Sequence, residues 1–136
     1  PGQSFLDVGT GTGILAIAAA KMASGRESIL AIDTDADAVE IARTNSELNS
    51  VGERIDFAAG VIDPTTEHYD LICANLTADV IVPILSLLID KADRVLVLSG
   101  ILAEQEKMVV DLIPADLARS VDRAGEWISV TVMKNR

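Results

Sequence analysis

Five short apolar runs, each closed by a glycine or polar break, set the plan of this chain: residues 4–8, 28–33, 54–58, 68–74 and 94–99. Dense helix formers follow at 13–23, 35–48, 77–91 and 103–112, with Asp35 as a candidate N-cap and Pro114 as a stop. Pro83 falls inside the third of these and predicts either a place near its first turns or a kink. Residues 60–67 read as a loop or short helix. Strands that stay apolar without alternation are buried on both faces, which a parallel sheet achieves when helices carry the crossovers. Two further strand-like runs, 118–122 and 127–133, are separated only by Arg123 to Glu126, which suits a hairpin rather than another crossover helix. The prediction is an α/β, three-layer sandwich with a mostly parallel seven-stranded sheet and an antiparallel last strand.

A length of 136 residues suits one domain, and 49% hydrophobic content with 3% aromatic describes a core of Ala, Val, Ile and Leu. The formal charge, 11 − 21 = −10, repels a phosphate backbone, so direct nucleic-acid binding is not expected. Cys73 is the only cysteine, which leaves no disulfide framework and no cysteine cluster for zinc; no metal site is expected. The apolar run 80–89 is far shorter than the ~20 residues of a membrane span. A reducing, cytoplasmic setting is the expectation.

The break after the first run is "DVGTGTG", Asp7 to Gly13. Glycines at a strand-to-helix turn let backbone approach a ligand, and the helix behind offers unpaired N–H groups. The spacing Gly9, Gly11, Gly13 differs from the Gly-x-Gly-x-x-Gly of dinucleotide sites, because Ile14 stands where the last glycine belongs. It also lacks the Gly-Lys-Ser/Thr ending of a P-loop. Twenty residues after Gly13, at the end of the second run, Asp33 can accept hydrogen bonds from ribose hydroxyls, which fits an adenosine ligand. The plainer alternative is that Asp33 only ends a strand and Asp35 caps a helix. A nicotinamide-dependent dehydrogenase would share the opening βαβ unit, but the glycine spacing and the hairpin ending argue against it.

"DVGTGTG" and "AID" (Ala31 to Asp33) resemble the first two motifs of class I S-adenosylmethionine-dependent methyltransferases. With "YDLICANLTADVI" and "LSGILAEQ", the stretch from about Phe5 to Trp127 resembles the methyltransferase domain of the ribosomal protein L-eleven methyltransferase (PrmA) family. The resemblance implies a Rossmann-like fold, S-adenosylmethionine as cofactor, and methyl transfer to amino groups of a large-subunit ribosomal protein. It implies that Gly9, Thr10, Gly11 and Gly13 line the cofactor, that Asp7 orients its amino group through the loop, that Asp33 holds the ribose, and that Thr34 lies beside the adenosine. Asn75 stands where amine methyltransferases carry Asp or Asn; its side-chain oxygen would accept a hydrogen bond from the acceptor amine, making it the candidate catalytic residue and a cofactor neighbour. The alternative for Asn75 is a turn former, with Thr77 as helix cap and Asp79 in the first helical turn.

Two features depart from the family pattern or extend beyond these residues. Val61 follows Gly60 where the family has an acidic residue facing adenine, with Asp63 or backbone atoms as replacements. The resemblance also implies an upstream substrate-recognition domain, so residues 1–136 are read as the methyltransferase domain of a longer protein. His68 is expected at the surface, Cys73 as a small buried hydrophobe, and Trp127 as packing rather than substrate stacking. Two further functions stay open: a class I methyltransferase for another protein amine or a small molecule, and a cofactor-binding fragment without catalysis.

Overall fold

The computed structural model describes residues 3–135. The chain divides into two compact units, Pro1–Val61 and Ile62–Arg136.

In the first unit, β1 (Ser4–Val8), β2 (Ser28–Asp33) and β3 (Ile55–Ala59) run parallel in the order β3-β2-β1. Leu6 pairs with Leu30 and Ile29 with Ile55, so the continuous apolar runs lie side by side. Leu6 and Ala31 are wholly buried, as expected for strands covered on both faces. The crossovers are α1 (Ile14–Met22) and α2 (Ala36–Leu48). On α2 the buried residues Val39, Ala42 and Ser46 recur every three or four positions, the period of one helix face. Asp35 caps α2 as expected, its carboxylate accepting from Asp37 N at 2.9 Å.

The end of α2 has a less expected form. Val51 N donates to Ser46 O and Ser50 N to Glu47 O, the paired bonds of a Schellman cap. The residue in the left-handed position is Ser50, φ 60°, where glycine is usual. Val51, which follows it, is buried.

The second unit holds β4 (Tyr69–Asn75), α3 (Ala78–Lys91), β5 (Ala92–Leu102), α4 (Glu106–Val110), β6 (Ala118–Ala124) and β7 (Trp127–Met133), with strand order β4-β5-β7-β6. β4 and β5 are parallel, and β7 is antiparallel to both β5 and β6. The expected hairpin is therefore present. Its turn is tighter than the four-residue gap suggested, because Ala124 pairs with Trp127 and leaves only Gly125 and Glu126 between them. Gly125 has φ 62°, as the first central position of a type II′ turn requires.

Pro83 lies within α3 on its exposed side, and the helix continues through it. β5 starts without a loop after α3 and runs three residues beyond the predicted end at Ser99, through Gly100. The predicted helix over 103–112 is shorter: a 3-10 turn spans Ala103–Gln105 and α4 only five residues. Past α4 the chain continues in turns, Leu112 N donating to Val109 O and Ile113 N to Val110 O. The Arg119 guanidinium donates to the carbonyls of Val110, Ile113, Pro114 and Leu117, holding this stretch in turns.

Candidate functional site

The glycine loop of the first unit is built from backbone bonds to β2. Gly9 N and Thr10 N both donate to Ile32 O at 2.9 Å, which folds the chain back over the strand ends. Gly9, Gly11 and Gly13 all have positive φ, 75°, 56° and 87°. Gly13 is constrained twice, since a Cβ there would lie 3.0 Å from Ala42 Cβ on α2. From the same helix, Asn45 Nδ2 donates to Thr12 O at 2.9 Å and fixes the outer side of the loop.

Two carboxylates support this loop. Asp33 Oδ2 accepts from Gly11 N at 3.0 Å and Oδ1 from Asp35 N at 2.9 Å, so Asp33 braces the loop and starts the turn into α2. Each of those oxygens has a further lone pair. Asp7 lies beneath, 1% exposed. Its Oδ2 accepts from Thr10 Oγ1 at 2.8 Å, while its Oδ1 is buried without a hydrogen-bond partner. Burial pushes the Asp7 carboxyl up from 3.8 to about 6; the Thr10 hydroxyl and the Ala16 N–H oppose the rise, and the Asp33 charge adds to it. Thr34 is exposed at the end of β2. The structure thus gathers Asp7, Gly9, Thr10, Gly11, Gly13, Asp33 and Thr34 around one strand-to-helix turn.

Val61, the departure from the family pattern, is 63% exposed. Asp63 is engaged in its own turn, its Oδ1 accepting from Thr65 N and Thr65 Oγ1, which holds its carboxyl below the usual range.

Asn75 closes β4 in the second unit and is exposed. It opens on a cleft of about 490 Å³ whose lining includes Ser99, Gly100, Asp122, Trp127 and Ser129. Thr77 occupies the N-cap position of α3 but makes no side-chain capping bond, and Asp79 lies in the first turn. Trp127 differs from its sequence reading: it is 48% exposed and forms a wall of the cleft. The signal was present in β7, where Ile128, Val130 and Val132 are buried and alternation turns Trp127 and Ser129 the other way. Cys73 is likewise half-buried rather than buried. His68 is at the surface as expected, its Nδ1 3.0 Å from Asp93 Oδ1.

Among the described residues no cluster of His, Cys, Asp and Glu is suited to a metal, and no helix is long and apolar enough to cross a membrane.

Parallel strands with helical crossovers, a glycine turn after β1, an acidic residue ending β2 and an antiparallel β7 define the Rossmann-like class I methyltransferase fold. Solved structures agree. A ribosomal protein L11 methylase from Lactobacillus delbrueckii subsp. bulgaricus superposes with a TM-score of 0.86 at 27% identity, over 100% of this chain and 72% of that one. An RNA methyltransferase from Salinibacter ruber, solved with S-adenosyl-L-homocysteine, matches in fold with a TM-score of 0.75 at 17% identity, over 98% and 82%. Residues 1–135 match the family described as ribosomal protein L11 methyltransferase (PrmA), and the chain belongs to that family. A curated relative of that name from Geotalea daltonii is 40% identical over 133 residues. The alignment covers 95% of this chain and 42% of the relative, so the chain spans less than half of its length.

Proposed function

We propose that this chain is the cofactor-binding and methyl-transferring part of a protein N-methyltransferase, with S-adenosylmethionine as methyl donor and amino groups of a large-subunit ribosomal protein as acceptors. The observation that carries the reading is the unpartnered, buried Oδ1 of Asp7 at the foot of a loop of left-handed glycines. A buried carboxylate oxygen without a donor is costly, and an ammonium group from a ligand relieves that cost. The residues present therefore fit an amino-acid-bearing nucleoside. Asp7 orients its amino group through the loop, the glycines admit its chain, and the spare lone pairs of Asp33 accept from ribose hydroxyls. When bound, S-adenosylmethionine supplies an electrophilic methyl group on a cationic sulfur.

The chain's own residues then have to position the acceptor. Asn75 Oδ1 accepts from the amine and fixes the direction of its lone pair. Trp127 offers an aromatic wall to the alkyl stem of the amine and to the cation it carries before deprotonation. The cleft lowers local polarity, which favours the neutral amine that reacts. Acceptor recognition also draws on chain beyond these residues, a reading supported by the greater length of the relatives. A cytoplasmic setting follows from the acceptor.

Calorimetric titration with S-adenosylmethionine, S-adenosylhomocysteine and NAD tests the first half: both sulfur ligands bind and NAD does not. Transfer of labelled methyl groups to the ribosomal protein by the full-length enzyme, strongly lowered but still measurable in Asn75→Ala, tests the second. Binding of NAD alone overturns the cofactor. Transfer only to another amine overturns the acceptor.

A further inference from the structure

Gly100 lies inside β5, where the register with β7 shifts between the Leu98–Val130 and Ile101–Ile128 pairs. Its φ of 84° lies in the left-handed region, so the strand bulges there around a residue without a side chain. A bulge alone asks only for the backbone angle. Here the space beside the Cα is also taken: a Cβ would stand 2.7 Å from Leu76 O and 2.9 Å from Asn75 Oδ1. The preceding residue is tied to the same turn, since Asn75 is the register partner of Ser99 and Leu76 N donates to Ser99 O at 3.0 Å. β5 thus holds the exit of β4 by one hydrogen bond and leaves a gap at the next residue into which the Asn75 amide oxygen fits.

We infer that Gly100 is a positioning residue for methyl transfer: the bare Cα of the β5 bulge is the seat of the Asn75 side-chain oxygen and fixes its direction toward the acceptor nitrogen. The inference rests on the proposed role of Asn75 in amine methylation. Any side chain at position 100 moves the Leu76 carbonyl or rotates the Asn75 amide, the two groups that stand nearest to it. Its signature is loss of turnover with cofactor affinity retained.

The test is a double-mutant cycle in the full-length enzyme with the ribosomal protein as acceptor. Gly100→Ala is expected to lower kcat about 10- to 100-fold, the scale of a misplaced group. The Kd for S-adenosylmethionine should stay within about two-fold, and in an Asn75→Ala background the same substitution should change kcat by less than about two-fold. Equal losses in both backgrounds would mean that the alanine acts through the backbone, and the inference would fall. If Gly100→Ala does not fold, relaxation of the Asn75 side-chain amide in the unsubstituted protein decides. An order parameter as high as the about 0.85 of rigid backbone supports a seated amide, and any clearly lower value overturns it. No transfer to any amine by the unsubstituted enzyme overturns the functional reading and this inference together. Transfer to a different amine with the same non-additivity overturns only the choice of ribosomal acceptor.

Discussion

Asp7 combines burial, an orphaned oxygen and a charged neighbour, and its titration is the most direct readout of the loop. The folded chain holds the Asp7 proton more tightly than the unfolded chain, with the carboxyl at about 6 against 3.8. Its contribution to stability is therefore full below about pH 3.8 and is lost as pH rises to about 6. Asp7→Asn, which removes the buried charge, is expected to be the more stable protein near about pH 7, by up to about 3 kcal/mol in thermal or denaturant unfolding. The advantage should fade toward pH 4. Ligand affinity should move the opposite way. An ammonium group needs the carboxylate, so S-adenosylmethionine should bind more tightly as pH rises through about 6, and calorimetry on either side of that value reads the change. The motif made Asp7 and Asp33 legible in the sequence. The second task of Asp33, bracing Gly11, was not, because it depends on how the loop returns over β2.

At the level of elements, Ser50 is the clearest local conflict. The Schellman cap of α2 needs a left-handed residue, and serine meets it with strain. Ser50→Gly should stabilise the protein by about 0.5–1 kcal/mol, measurable as a raised unfolding midpoint with an unchanged denaturant slope. Most strands and the long helices were readable from apolar continuity and caps, because those signals are local. The segment after β5 was not. Helix formers over 103–112 promised ten residues of helix, but the segment opens with a 3-10 turn and closes in three-residue turns whose carbonyls at Val110 and Ile113 are tied to Arg119, nine residues after Val110. The length of β5 was also hidden, since a glycine that commonly ends a strand here bulges within one.

For the whole molecule, the net charge of −10 bears on partners more than on fold. A cationic acceptor should be drawn to this surface at low ionic strength. For the full-length enzyme, kcat/KM for the ribosomal protein is expected to fall several-fold between about 0.05 and 0.5 M salt. The affinity for S-adenosylmethionine should change much less, because Asp7 is buried and Asp33 part-buried, where salt screens little. The fold class was legible at this scale because a parallel sheet demands both continuous apolar strands and helical crossovers, and few other plans satisfy the same pattern. The cleft beside Asn75 was not, since it gathers residues from β4, β5, β6 and β7 whose spacing in sequence carries no common motif.

Trp127 is the only tryptophan of the chain, and it stands half-exposed on the wall of that cleft. Excited at the red edge, where indole absorbs and the lone tyrosine does not, this domain emits from one address. Any molecule that enters the cleft beside Asn75 is expected to change the polarity around the indole and shift its colour, an optical gauge of occupancy free of any attached dye.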